Sequence, residues 1–194
     1  MKKWNKDLGI LQYNAPVTLT FVILSFVVML LHYATRGEVT RLLFCTYRSS
    51  LANPLTYVRL FGHVLGHADW SHYAGNMVLF LVLGPLLEEK YGSKRLILMF
   101  AVTAAISGLV YLVFYPQSVL LGASGIVFMM IVLSSVAGMK NGKIPLTLIL
   151  VVIVYLGGEI SSSLGSYDGI AHMAHIAGGI CGAGFGFLLL KRKN

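Results

Sequence analysis

The chain has 194 residues, of which 57% are hydrophobic and 11% charged, and its mean hydropathy is +0.78. A soluble domain carries about 25% charged residues, so the composition excludes an ordinary water-soluble fold, makes the bilayer the natural solvent, and at this length suits one domain. The formal net charge of +8 would suggest nucleic acid in a soluble protein, but the basic residues cluster at the ends of apolar runs, where they set membrane topology, so no nucleic-acid partner is expected.

Taken in chain order, Lys2, Lys3 and Lys6 precede an apolar run without a small-residue cleavage site, so the first segment reads as a retained anchor. A hydrocarbon core of about 30 Å takes about 20 apolar residues. Runs of that kind cover residues 17–34, 71–87, 96–114, 119–138, 144–163 and 170–190. All six are expected to be helices, because lipid offers the backbone no hydrogen-bond partner. The predicted class is an all-α polytopic membrane protein forming one domain over residues 1–194. Residues 35–70 make the only long connection. Trp70, Pro54, four Arg and a set of Tyr and Phe residues make it too apolar for a free linker, and it is expected to lie partly in the interface. Cys45 and Cys181 fall in unrelated contexts, and neither a disulfide nor a metal role is expected.

Lys and Arg placement gives the orientation. With the N-terminus inside, the inner segments hold Lys2, Lys3, Lys6, Lys90, Lys94, Arg95, Lys140, Lys143, Lys191, Arg192 and Lys193, and the outer ones only Arg36, Arg41, Arg48 and Arg59. Both termini are therefore expected in the cytoplasm.

Ionisable and polar groups within apolar spans are functional candidates. The second span opens with Ser71-His72-Tyr73-Ala74-Gly75-Asn76, the fourth with Gly122-Ala123-Ser124-Gly125, and the sixth with Ala171-His172-Met173-Ala174-His175-Ile176-Ala177-Gly178. Even-numbered spans run from outside to inside, so at 1.5 Å per residue the three groups lie within roughly 10 Å of the outer boundary. A serine hydroxyl is a weak nucleophile that needs a base, neutral imidazole is the usual one, and a tetrahedral intermediate needs donors for its oxyanion. His72 and Asn76, one helical turn apart on one face, are candidate donors. No acidic residue lies in the outer half of these spans, which points to a Ser–His dyad. Each element alone has a blander reading: a serine bonded to its own helix, glycines that pack helices, an asparagine that ties two helices together. Gly178, Gly182 and Gly186 recur every four residues, and His175 shares their face. His172, one turn further out, competes as the base. His63 and His67 would suit zinc if helical, but the glutamate of a His-Glu-x-x-His motif is absent. A transporter would show inverted repeats, and none is found.

These residues resemble the rhomboid family of intramembrane serine proteases, most closely its compact six-helix, bacterial GlpG-like members. The resemblance covers about residues 58–186. Gly122-Ala123-Ser124-Gly125 looks like the family's nucleophile motif and implies Ser124. Ala174-His175-Ile176-Ala177-Gly178 with Gly182 looks like its Ala-His-x-x-Gly-x-x-x-Gly motif and implies His175 as the base. His72-x-x-x-Asn76 matches its oxyanion motif. Arg59 with His63 and His67 matches the polar pattern of its first loop, and Glu88 with Gly92 its Glu-x-x-x-Gly. Two positions depart from the family: Val58, where Trp is usual, and Phe128, where many bacterial members have Tyr. The resemblance implies a six-transmembrane-helix bundle with a long interfacial first loop, no cofactor or metal, and membrane-spanning protein substrates cut near their outer ends. A bacterial plasma membrane is the expected location. A non-catalytic rhomboid-like protein that binds membrane proteins or serves their quality control is the alternative.

Overall fold

The computed structural model describes residues 7, 8, 11–138, 143, 146, 149, 150, 153 and 170–190. Among them are seven α-helices: α1 (Pro16–Ala34), α2 (Glu38–Leu43), α3 (Pro54–Gly62), α4 (Trp70–Tyr91), α5 (Ser93–Phe114), α6 (Ser124–Ala137) and α7 (Ile170–Leu190), with a 3-10 turn at His63–Leu65 after α3. α1, α4 and α5 have 19, 22 and 22 residues and are long and apolar enough to cross a membrane. At 1.5 Å per residue they run about 28–33 Å, the thickness of a hydrocarbon core. α6 and α7 carry shorter apolar stretches, Ser124–Val136 and Met173–Leu189. The expected fifth span, residues 144–163, lies almost wholly outside the described residues; Leu146, Ile149, Leu150 and Ile153 within it are helical and exposed.

The described residues are helical throughout their spans, as the all-α class requires, with one short hairpin before α1 in which β1 (Asp7–Leu8) and β2 (Leu11–Gln12) pair antiparallel, Asp7 opposite Gln12 and Leu8 opposite Leu11. One detail differs from expectation. The fourth apolar run, expected over residues 119–138, becomes helical only at Ser124. The residues before it pair with the long first connection instead.

α1 and α4 run antiparallel, as their aromatic contacts show. Phe21 stacks on Phe80 at 4.3 Å, Phe26 faces Tyr73 at 6.1 Å, and Tyr33 stacks on Trp70 at 5.6 Å. At the far end of this pair Glu88, only 5% exposed, ties three helices together. Its carboxylate accepts the backbone N–H groups of Val17 (2.9 Å) and Thr18 (3.0 Å), the Thr18 hydroxyl (2.9 Å) and the Ser93 hydroxyl (2.7 Å). The first N–H groups of a helix have no partner within it, and Pro16 at the start of α1 has none to offer. Glu88 fills that gap for α1 with a charge that suits the positive end of a helix dipole.

The connection between α1 and α4 is an ordered structure. Asn53 caps α3 by accepting from Leu55 N at 3.0 Å, and Pro54 follows in the first turn. Arg59 is buried. Its Nε donates to Leu42 O at 2.9 Å, its Nη1 to Ser49 Oγ at 3.3 Å, and its guanidinium lies 4.4 Å from the centre of the Tyr47 ring. The Thr46 hydroxyl in turn donates to Arg59 O at 2.7 Å. Thr46 and Leu120 then form an antiparallel bridge with both N–H···O bonds at 2.8 Å. The long connection is thereby sewn to the segment that leads into α6.

Glu88→Ala would leave two backbone N–H groups and two hydroxyls without their acceptor. Losing charged acceptors of this kind costs about 2–3 kcal/mol, so the purified variant is expected to unfold several degrees lower in detergent, with Glu88→Gln in between. An unchanged melting temperature for Glu88→Ala would contradict the role given to Glu88.

Candidate active site

Ser124 is the first helical residue of α6, with Ala123 as its N-cap. Gly122 before it has φ +122°, a conformation natural to glycine and strained for any residue with a Cβ. A Cβ there would also lie 2.7 Å from Cε1 and Nε2 of His72. The His72 ring therefore rests on the turn that delivers Ser124. The turn is held from below as well, since Gly122 N donates to His63 O at 2.9 Å.

α7 brings His175 to the same turn. A Cβ on Gly178 would collide with the Gly125 carbonyl oxygen, and one on Gly125 would sit 3.3 Å from Ala174 O. The two helix backbones touch here with nothing between them. The pairing continues as Gly182 against Met129 O and Gly186 against Val136. Residue numbers rise together on both sides, so α6 and α7 are parallel. Their N-terminal turns, one carrying Ser124 and the other His175, lie at the same end of the bundle. His175 is 2% exposed, and its ring lies 5.7 Å from that of Phe128 at an interplanar angle of 24°. Phe128 is one turn below Ser124, so the aromatic ring braces the imidazole from the serine's own helix.

α4 contributes the third wall. Asp69 caps it by accepting from His72 N at 2.8 Å. Asn76 is buried, and its Nδ2 donates to His72 O at 3.0 Å. A carboxamide has two N–H donors, and this bond uses one. The His72 ring is half-buried and meets His67 edge-on at 5.0 Å. Of the candidate residues, Ser124, Gly122, Gly125, His72, Asn76, Phe128, His175 and Gly178 gather at one end of the bundle. Gly182 lies further along the α6–α7 contact. Arg59 stands in the loop framework, and Glu88 at the opposite end. The side chain of His172 lies outside the described residues.

The zinc geometry considered for His63 and His67 does not form. The 3-10 turn stops at Leu65 and Gly66 is extended, so the two histidines do not share a helical face. Each donates from Nδ1 to a nearby carbonyl, His63 to Leu60 O (3.1 Å) and His67 to Leu65 O (3.2 Å). Among the described residues no three His, Cys, Asp or Glu side chains converge as metal ligands do. Two elements of the site were not anticipated: the Gly122–His63 hydrogen bond and the Thr46–Leu120 bridge. Both are backbone contacts and leave no residue-type signal. The Asp69 cap does leave one, an acidic residue immediately before an apolar helix.

A parallel pair of helices with a serine and a histidine at their opening turns, walled by a His-x-x-x-Asn helix and tied by backbone hydrogen bonds to an ordered loop, marks a membrane protein of the rhomboid class. The rhomboid domain family matches residues 54–192, and the chain belongs to that family. Rhomboid-related protein 1 of Caenorhabditis elegans is 29% identical over 141 residues, covering 68% of this chain and 40% of that protein. Rhomboid-like protein 11, chloroplastic, of Arabidopsis thaliana is 32% identical over 139 residues, covering 64% and 50%. Rhomboid protease GlpG of Haemophilus influenzae is 32% identical over 143 residues, covering 70% and 72%. The chain thus spans half or less of the worm and plant relatives.

The loop histidines have a consequence for stability. Burial pushes the pKa of His63 and His67 down to about 4, and for His67 the neighbouring His72 adds to the effect. The unfolded chain takes up these protons near the ordinary value of 6.5, while the folded one stays neutral. Their contribution is therefore complete above about pH 6.5 and is lost as the pH falls from there to about 4. The melting temperature is expected to decline across that window, and His67→Gln to flatten the decline. An identical pH profile in the variant would count against the assignment.

Proposed function

We propose that the chain is an intramembrane serine endopeptidase that hydrolyses peptide bonds in or near the transmembrane segments of other membrane proteins. Ser124 is the nucleophile and His175 its base. The observation that carries this reading is the contact of Gly178 with the Gly125 carbonyl, which presses the imidazole-bearing turn of α7 against the hydroxyl-bearing turn of α6. In the proposed reaction neutral His175 takes the Ser124 proton as the hydroxyl oxygen attacks the scissile carbonyl. The developing oxyanion is met by the Ser124 N–H at the open end of α6, where the helix dipole favours negative charge, and by His72 and Asn76 from α4. The imidazolium then protonates the leaving amine. A water, deprotonated by His175, releases the acyl group from Ser124. No carboxylate orients the base in this scheme; the ring of Phe128 does so by packing.

The architecture that goes with this reading is a single domain of six spans, with residues 144–163 as the fifth. Both termini are cytoplasmic, the site opens toward the outer side, and a bacterial plasma membrane is the setting. It needs neither cofactor nor metal. The partners are transmembrane protein substrates and the bilayer itself.

Ser124→Ala and His175→Ala are each expected to abolish cleavage of a single-span substrate and labelling by a fluorophosphonate, with the melting temperature retained. His172→Ala is expected to reduce cleavage only in part. Turnover by purified Ser124→Ala at the wild-type rate would overturn the mechanism. A wild type that binds substrate but never cuts or labels would favour the non-catalytic alternative.

Asn76→Ala is expected to lower kcat on the order of 10²–10³ with a smaller change in KM, because oxyanion donors act mainly in the transition state. If Asn76 only fastens its own helix, the variant will melt earlier and turn over normally per folded molecule. Measuring both on one preparation separates the two.

A further inference from the structure

The first loop holds every Lys and Arg that the proposed topology puts outside: Arg36, Arg41, Arg48 and Arg59. Basic residues on that side run against the usual bias. Arg59 has a structural use, described above. Arg41 and Arg48 do not: both are exposed, and among the described residues neither forms an ion pair. They line a cavity of about 440 Å³ together with His32 from α1 and Gln117, Ser118 and Leu121 from the segment that leads into α6. No acidic side chain lines it; the nearest in sequence, Glu38, is on α2 one turn before Arg41. The His32 ring is bonded to the Thr40 hydroxyl at 3.0 Å, so that wall is fixed. The opposite wall is held to the arginine-bearing loop by the Thr46–Leu120 bridge.

This cavity is next to the candidate active site. Leu121 is three residues before Ser124, which limits their Cα separation to roughly 11 Å. A peptide held with its scissile bond at Ser124 therefore needs roughly three to six extended residues to reach the arginines. Guanidinium groups prefer carboxylates that they can grip with two hydrogen bonds. The wall at Leu121, three residues from Ser124, favours a peptide over a lipid headgroup. We propose that the Arg41–Arg48 cavity binds acidic side chains in the outer flanking segment of the substrate and so selects among membrane proteins. The inference rests on the protease reading for where the substrate lies.

The test separates binding from catalysis. Two single-span peptides differ only in Asp and Glu, or Asn and Gln, at about three to six residues from the scissile bond. Their affinities for the Ser124→Ala protein are measured in nanodiscs of phosphatidylcholine alone, and their KM values with the wild type. The acidic peptide is expected to bind roughly five- to tenfold tighter, about what two partly exposed charge pairs supply. Arg41→Gln with Arg48→Gln is expected to erase that preference and leave kcat and the neutral peptide unchanged. Arg41→Lys with Arg48→Lys keeps part of it, and Arg41→Glu with Arg48→Glu moves it to a peptide with Lys in the flank. Equal affinities for the two peptides, or a preference that persists in the glutamine variant, would overturn the proposal. So would an arginine effect that appears only after phosphatidylglycerol is added, which would mark a lipid headgroup site. If the Ser124→Ala protein shows the preference but the wild type cleaves neither peptide, the protease reading fails and the binding site stands.

Discussion

Two backbones in van der Waals contact, Gly178 of α7 on the carbonyl of Gly125 of α6, set the geometry on which the candidate site depends. In lipid, apolar side chains gain little from leaving one hydrocarbon for another, so helices associate where small residues let dispersion contacts and polar groups come close. The glycines at 178, 182 and 186 supply such a seam, and it fixes both the separation and the register of the two helices. Because the helices are parallel, their unsatisfied N–H groups lie at the same end. Serine, imidazole and a helix N-terminus thus arrive together as a by-product of one packing choice.

That seam positions the base, but not the backbone that presents the nucleophile. The turn at Gly122 has a positive φ that glycine adopts without strain and other residues do not. It is held by the His63 carbonyl, by the Thr46–Leu120 bridge just before it, and by the His72 ring packed against the space that a Cβ would need. Buried Arg59 organises the loop from which two of these contacts come. The first connection therefore acts as a scaffold for the catalytic turn in the proposed mechanism, which explains why a loop should carry buried polarity: Arg59, Thr46 and the His63 carbonyl each meet a partner within the loop or in the segment that leads into α6.

The opposite end of the bundle meets the same demand with different means. There one carboxylate, Glu88, serves the open N-terminus of α1 and the hydroxyl that begins α5. A helix that ends in low dielectric must find acceptors for its free N–H groups, and water is scarce at that depth. Placing the keystone far from Ser124 separates what holds the bundle from what the site needs for chemistry.

The sequence by itself determined the solvent, the helical class and the identity of the polar residues that converge. Apolar length, the four-residue glycine spacing and the His-x-x-x-Asn step are local patterns with a period of about 3.6 residues, so they can be read along the chain. The apolar run from 119 to 138 shows where that reading stops. Hydropathy marks residues 119–123 as part of a span, yet they form a bridge and a positive-φ turn, because their hydrogen-bond partners, Thr46 and His63, lie some 60–75 residues away. No spacing rule reports a backbone bond over that distance. The same holds for the His72 ring on Gly122, the Phe128 ring beside His175 and the carboxylate of Glu88 on α1. Residue type announces that such groups need partners; only the tertiary structure decides which partners they find, because the choice depends on which helices pack side by side.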